Sequence, residues 1–229
     1  MITVDITTLL GFLPRLMGGL LNTILLTLFS LILATVFGML LAMGRVYGKA
    51  PLTTIIYVYE KIFRGVPLLV IFFLVYLGLG QIGINLLPFT AAIIGLALRS
   101  SAYQAQIFRS AINSIPEGQN IAARTLGMTK IQSIIHIMIP QVLRLSIPSW
   151  SNEFTIVLKD TSIALALGVP ELLRVAGQIY AIPKYFNYIL PILIVVAIIY
   201  FIIVLFVNKT LGYLEQKYKM AGFEVSVER

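Results

Sequence analysis

Residues 116–140 read PEGQNIAARTLGMTKIQSIIHIMIP, a polar, helix-shaped insert in a chain that is otherwise mostly apolar. Pro116 suits a first helical turn, where its missing N–H has no partner to lose, and Ser114 just upstream is a candidate cap. Residues Asn120 to Leu126 are mostly good helix formers, and Gly127 stands where a left-handed C-terminal cap belongs. A helix of roughly ten residues is marginal alone in water. It therefore has to lie on something, either the membrane surface or a protein partner.

Composition sets the surroundings. Hydrophobic residues make up 59% of the 229 and charged residues 11%, against about 25% charged in a typical soluble domain. The chain reads as one all-α membrane domain, 1–229, without room for a separate soluble module. With no cysteine and one histidine, His136, it offers no disulfide, no thiolate or histidine-rich metal centre and no cysteine or Ser-His-Asp nucleophile. No catalytic residue and no metal ligand is therefore assigned, and no Walker pattern is present to bind ATP. The first 19 residues lack a positive start before an apolar core, so the first span is expected to act as an uncleaved insertion signal.

Five spans are expected. They are Leu16–Gly44, Leu52 to Gly80 with a kink or break at Pro67, Phe89–Arg109, Ile131–Lys159 with kinks at Pro140 and Pro148, and Tyr185–Val207. Asp160–Lys184 is too polar and too Gly/Pro-punctuated for a clean helix, although Ser162–Val169 is apolar enough to be partly embedded. Asn208–Arg229 reads as a short charged tail. With the N-terminus outside and the C-terminus cytoplasmic, the inner segments hold Arg45, Lys49, Lys61, Arg64, Arg109, Arg124, Lys130, Lys209, Lys217, Lys219 and Arg229, and the outer ones Arg15, Arg174 and Lys184. This asymmetry is the positive-inside pattern, and it accounts for the net charge of +8 without a nucleic-acid partner. It also puts residues 117–130 in the cytoplasm.

Ile121-Ala122-Ala123, three residues, Gly127, nine residues, then Ile137-Met138-Ile139-Pro140 resembles the EAA loop of ABC-importer permeases, whose pattern is Glu-Ala-Ala, three residues, Gly, nine residues, Ile, any residue, Leu, Pro. Ile121 replaces the pattern's Glu and Ile139 its Leu. Glu117-Gly118-Gln119 and the run from Ala122 to Met128 are similar to the polar amino-acid branch (histidine, glutamine and arginine type). Arg64-Gly65-Val66-Pro67-Leu68 resembles another of its segments, as do Asn152-Glu153-Phe154 and Leu158 to Ser162. The resemblance runs over roughly residues 20–210 and implies a MetI-like fold in a bacterial or archaeal cell (inner) membrane. It implies a coupling helix, about 117–127, between spans three and four, with Glu117, Gly118, Ala122, Ala123, Arg124 and Gly127 meeting an ATPase. The implied partners are a second permease subunit, identical or related, two cytoplasmic ATPases carrying ATP and Mg, and an external solute-binding protein.

Charges at membrane depth are costly and mark candidate sites. Arg99, Glu153, Lys159 and Asp160 lie there, while Arg144 is near enough to the cytoplasmic surface to snorkel. Glu153 and Asp160 are two helical turns apart, on one face and about 10 Å along the axis, with Lys159 pointing elsewhere. Either Arg99 neutralises one of these carboxylates as a fixed ion pair, or the acidic face lines a substrate cavity. A free amino acid is a zwitterion, which a cavity with carboxylates and a cation can meet at both charges; surplus carboxylate favours a basic side chain. The resemblance places the 152–162 stretch along the translocation path. The substrate-binding candidates are Glu153, Asp160 and Asn22, followed by Arg99, Tyr103, Lys159 and Ser162. Asn22 fits a helix–helix hydrogen bond equally well. Trp150 and Tyr180, Tyr185 and Tyr188 read as interfacial anchors.

The function expected is the permease subunit of an ATP-driven importer of polar amino acids. The alternatives are a permease for another small solute and a channel or ion-coupled carrier that uses no ATP.

Overall fold

The structure, a computed structural model, describes residues 5–218. The first helix, α1 (Ile6–Tyr47), starts at Asp5, whose carboxylate accepts the N–H groups of Thr7 and Thr8. Two of its hydroxyls are satisfied within the helix: Thr23 donates to the Gly19 carbonyl at 3.2 Å and Thr27 to the Thr23 carbonyl at 2.8 Å. One face, including Leu16, Leu26, Leu31, Ala34 and Ala42, is buried. The opposite face exposes Phe29, Ile32, Val36, Phe37 and Leu40. An apolar face of this length, left open, belongs against lipid or another membrane chain.

The expected second span is two helices. The helix α2 (Leu52–Gly65) and the helix α3 (Leu68–Gln81) meet at 110°. Pro67 has no N–H to continue the ladder and forces Val66 into extended backbone (φ −85°, ψ 133°), so the chain breaks rather than kinks. The next helix, α4 (Pro88–Ser114), has 27 residues and outruns the expected Phe89–Arg109 at both ends. It packs most extensively against α1, because Gly38 lets the two backbones approach: a Cβ there would stand 2.8 Å from Gln104 Cβ and 3.1 Å from the Ser101 carbonyl oxygen.

The insert forms α5 (Glu117–Thr125). Ser114 does not cap it; its hydroxyl turns back to the Ala111 carbonyl at 2.8 Å. The C-terminal stop falls where the sequence puts it. Gly127 sits at φ +83°, with Met128 N–H closing onto the Ala123 carbonyl at 3.1 Å. Thr129 and Gln132 then make a capping box that starts α6 (residues 130–160), which carries a π turn at Ile134–Met138 just ahead of Pro140 and keeps Pro148 in its interior.

Residues 160–184, expected to hold no clean helix, contain one. After a 3-10 turn at Thr161–Leu167, the Glu171 carboxylate accepts Leu173 N–H at 2.8 Å and Arg174 N–H at 2.6 Å and so caps α7 (Leu172–Tyr180). Leu172, Val175, Ala176 and Ile179 face one way and bury against Leu16 of α1 and Ile192 and Val196 of the last helix. That helix, α8 (Pro183–Tyr218), continues through the stretch read as the start of a charged tail; the rest of that tail, with Lys219 and Arg229, lies outside the described residues.

By length and apolarity α1 and α8 can cross a membrane, and the α2–α3 pair counts as a third, broken, crossing. The helices α4 and α6 have the length but carry Arg99, Glu153, Lys159 and Asp160, so neither presents an unbroken apolar run.

Candidate functional site

Three of the four charges at membrane depth, Arg99, Glu153 and Asp160, come together where α4 and α6 lie side by side. Neighbouring residues of α4 meet the two acids of α6: Arg99 pairs through Nη1 with Asp160, and Ser100 donates to Glu153 Oε1 at 2.7 Å. Asp160 and Arg99 keep about a fifth of their side chains exposed (21% and 22%), whereas Glu153 is 4% exposed. Arg99 forms an ion pair, and its partner is Asp160 and not Glu153. Among the described residues Glu153 belongs to no ion pair, and its Oε2 takes no hydrogen bond.

Tyr103, one turn beyond Arg99, has two guanidinium groups on its ring, Arg99 at 5.1 Å and Arg64 of α2 at 5.2 Å. Lys159 points away from this cluster, as its angular position on the helix requires. It is exposed and, with Ser162, lines a separate open hollow of ≈ 350 Å³ shared with Leu173, Leu193, Val196, Ala197 and Tyr200. The Ser162 hydroxyl itself donates to the Lys159 carbonyl at 2.8 Å. Asn22 joins neither group: its Nδ2 donates to the Pro170 carbonyl at 2.8 Å and ties α1 to the loop before α7.

Three residues of the site were not singled out by sequence reasoning, or were given another place. Gln104 is fully buried; its Nε2 donates to Ser100 Oγ at 3.2 Å, and its Oε1 accepts from Thr35 at 2.9 Å. Trp150 is not an interfacial anchor. Its indole N–H points inward, 3.1 Å from both Thr35 Oγ1 and Gln104 Oε1. The signal available for Ser100 and Gln104 was their four-residue spacing, which stacks two polar groups on one face of an apolar helix. Tyr185 and Tyr188 do lie together at an end of the bundle, packed on Phe12 with ring centroids 4.9 and 6.1 Å away.

At the other end, α5 is held to α6 by Ser133 donating to Asn120 Oδ1 at 3.0 Å, with Ala123 buried beneath it. Glu117, Gly118, Ala122, Arg124 and Gly127 are exposed. So are two large apolar side chains, Ile121 (59%) and Leu126 (82%).

Residues 34–220 match the family model described as binding-protein-dependent transport system inner membrane component. Among curated relatives, the L-cystine transport system permease protein TcyB of Bacillus subtilis (strain 168) is 38% identical over 193 residues, 84% of this chain and 82% of the relative. The arginine transport system permease protein ArtQ of the same organism is 30% identical over 216 residues, 94% of this chain and 97% of the relative. Among solved structures, a crystal structure of an amino acid ABC transporter with histidines superposes with a TM-score of 0.83 at 34% identity, over 94% of this chain and all of that one (100%). The inward-facing MetNI methionine ABC transporter superposes with a TM-score of 0.73 at 18% identity, over 95% of this chain and 100% of that one, a likeness of fold. The chain thus belongs to the binding-protein-dependent transport system inner membrane components, the MetI-like permeases of ABC transporters.

Proposed function

We propose that this chain is the membrane permease subunit of an ATP-driven importer of polar amino acids, with an acidic path that favours a cationic side chain. The observation that carries the substrate preference is Glu153, a carboxylate buried at membrane depth that, among the described residues, belongs to no ion pair and accepts a hydrogen bond at one oxygen only. A buried charge of this kind is costly unless something meets it, and a passing ammonium or guanidinium group does so. Asp160, Arg99 and Tyr103 border the same path, whereas Lys159 and Ser162 line the neighbouring hollow and Asn22 is held by the Pro170 carbonyl. The relatives' names, which include cystine, glutamine and arginine transport, support an amino-acid cargo.

In this reading five crossings, with the N-terminus outside, put α5 in the cytoplasm of a bacterial or archaeal cell. Two permease subunits form the path, two ATPases hold ATP and Mg, and an external solute-binding protein delivers the amino acid. ATP closes the ATPase pair, α5 transmits that closure to α4 and α6, and the path opens outward; hydrolysis resets it. The coupling is a population shift, since the ATPases hold the two permease conformations with different affinity.

The test is ATP-dependent uptake in liposomes containing this chain, its ATPase and its binding protein, across a panel of amino acids. Uptake of cationic amino acids, reduced roughly tenfold or more by Glu153→Gln, is expected, with assembly intact. Equal loss for neutral and cationic amino acids would remove Glu153 from side-chain selection. Uptake without the ATPase would point to a carrier.

A further inference from the structure

The hydrogen bonds that reach Glu153 form a chain with a fixed direction. It starts at Trp150, whose indole N–H is a donor only. That N–H and the Thr35 hydroxyl both point at Gln104 Oε1, so the amide cannot be turned round without setting NH₂ against an N–H. Gln104 Nε2 therefore faces Ser100 and donates to its oxygen. With that oxygen accepting, the one hydrogen of Ser100 is left for Glu153 Oε1. Each of Gln104, Ser100 and Glu153 is at most 4% exposed, so water does not compete for these bonds. Glu153 Oε2 lies outside the chain and accepts no hydrogen bond among the described residues.

We propose that Trp150 and Gln104 are positioning residues that hold Glu153 Oε1 as the acceptor of Ser100 and so turn Oε2 toward a cationic group of the substrate. This rests on the reading of Glu153 as part of the substrate path, and it adds what makes that carboxylate selective. A glutamate with free rotation and free choice of partner can accept from or donate to a neutral amide. One whose Oε1 is occupied by a donor at the end of a one-way chain has a fixed rotation and meets the substrate through Oε2 alone. Rejection of a mismatched partner at a buried, oriented polar group is far stronger than rejection by shape alone. Gly38 belongs to the device, since it lets α1 bring Thr35 to Gln104.

The experiment is equilibrium binding of radiolabelled L-arginine and L-glutamine to the permease–ATPase complex in nanodiscs, with the melting temperature of each variant recorded. Trp150→Phe keeps the ring and removes the N–H. It is expected to weaken arginine roughly threefold to tenfold, the size of one hydrogen bond, and glutamine by less than about twofold. Ser100→Ala, which removes the last donor, is expected to do the same and decides the matter if Trp150→Phe fails to assemble. Added to Glu153→Gln, neither change should alter the arginine-to-glutamine ratio further. If Glu153→Gln selectively weakens arginine while Trp150→Phe and Ser100→Ala lower both ligands alike, or neither, the positioning role is overturned and the acidic site stands. If Glu153→Gln leaves the ratio unchanged, or the unmodified complex binds neither ligand, both fall.

Discussion

Arg109 of α4 donates from Nη1 to both carboxylate oxygens of Glu60 on α2, at 3.1 and 2.9 Å, and Glu60 is 3% exposed. This pair pins the helix that Pro67 has bent away from its continuation. Its neighbour Tyr59 adds a second tie, lying 2.7 Å from Ser101 Oγ and donating to the Leu98 carbonyl at 3.0 Å. Removing one member of a buried pair leaves the other without compensation, at a cost of about 3–5 kcal/mol. Arg109 keeps 26% of its side chain exposed, which puts Arg109→Met near the lower figure. Thermal unfolding of the purified permease–ATPase complex should show the loss, and Glu60→Leu combined with Arg109→Met should recover most of it. A combined variant no better than either single one would mean that the pair does more than neutralise itself.

Asp160 differs from Glu153 in already having a cation. Asp160→Asn should therefore lower uptake of all amino acids together and destabilise the complex by roughly 1–2 kcal/mol, discounted for the partial exposure of both partners. Exchanging the charges, Arg99→Asp with Asp160→Arg, should restore assembly in part. Uptake kinetics on a cationic and a neutral amino acid check this. Selective loss of the cationic one on Asp160→Asn would make Asp160 a ligand in its own right.

Periodicity and punctuation carried much of this fold, and burial carried the rest. Pro116, Gly127 and the apolar runs marked α5, α1 and α8, because each rests on local backbone chemistry or on a simple transfer energy. The break at Pro67 was legible as a kink or break but not as 110°, since Pro removes a bond without saying how far the chain then turns. The helix α7 was missed because Gly168, Pro170 and Pro183 bracket it, although Leu172, Val175, Ala176 and Ile179 have helical spacing. At the site, the charges stood out by their cost in a membrane, and Asp160 and Glu153 followed from that. The pairing of Arg99 with one acid and Ser100 with the other depends on how α4 is rotated against α6, which no local pattern fixes. Trp150 was assigned to the interface on its residue type; its hydrogen bond to Gln104 is a tertiary fact.

Gly38 is the point where α1 and α4 come closest. A side chain larger than hydrogen would meet Gln104 Cβ at 2.8 Å, which no rotamer of the new residue relieves. Gly38→Val should cost about 1–3 kcal/mol as overpacking and separate Thr35 from Gln104. Gly38→Ala should have a smaller effect in the same direction. Melting of the complex measures the first consequence. Unchanged stability on Gly38→Val would mean that the two helices slide apart freely.

The last prediction concerns the cytoplasmic helix. Ile121 and Leu126 project from α5 at 59% and 82% exposure, and exposed apolar side chains on a polar helix are what a protein groove takes up. Ile121 stands where the EAA pattern has Glu, so an ATPase docked there would meet an apolar side chain in place of a carboxylate. Leu126→Asp should then prevent copurification of the ATPase, while the permease still folds, because Leu126 touches little of its own chain. Gly127→Val acts differently. Its φ of +83° is costly for a β-branched residue, by about 1–2 kcal/mol, and the strain falls on the Ala123–Met128 closure that fixes α5 against α6. The ATPase should stay bound and active, with fewer amino acids moved per ATP hydrolysed. Parallel measurement of ATP hydrolysis and uptake in the same liposomes separates the two defects. A Gly127→Val complex with an unchanged transport-to-hydrolysis ratio would show that the rigidity of this turn is not what carries the signal.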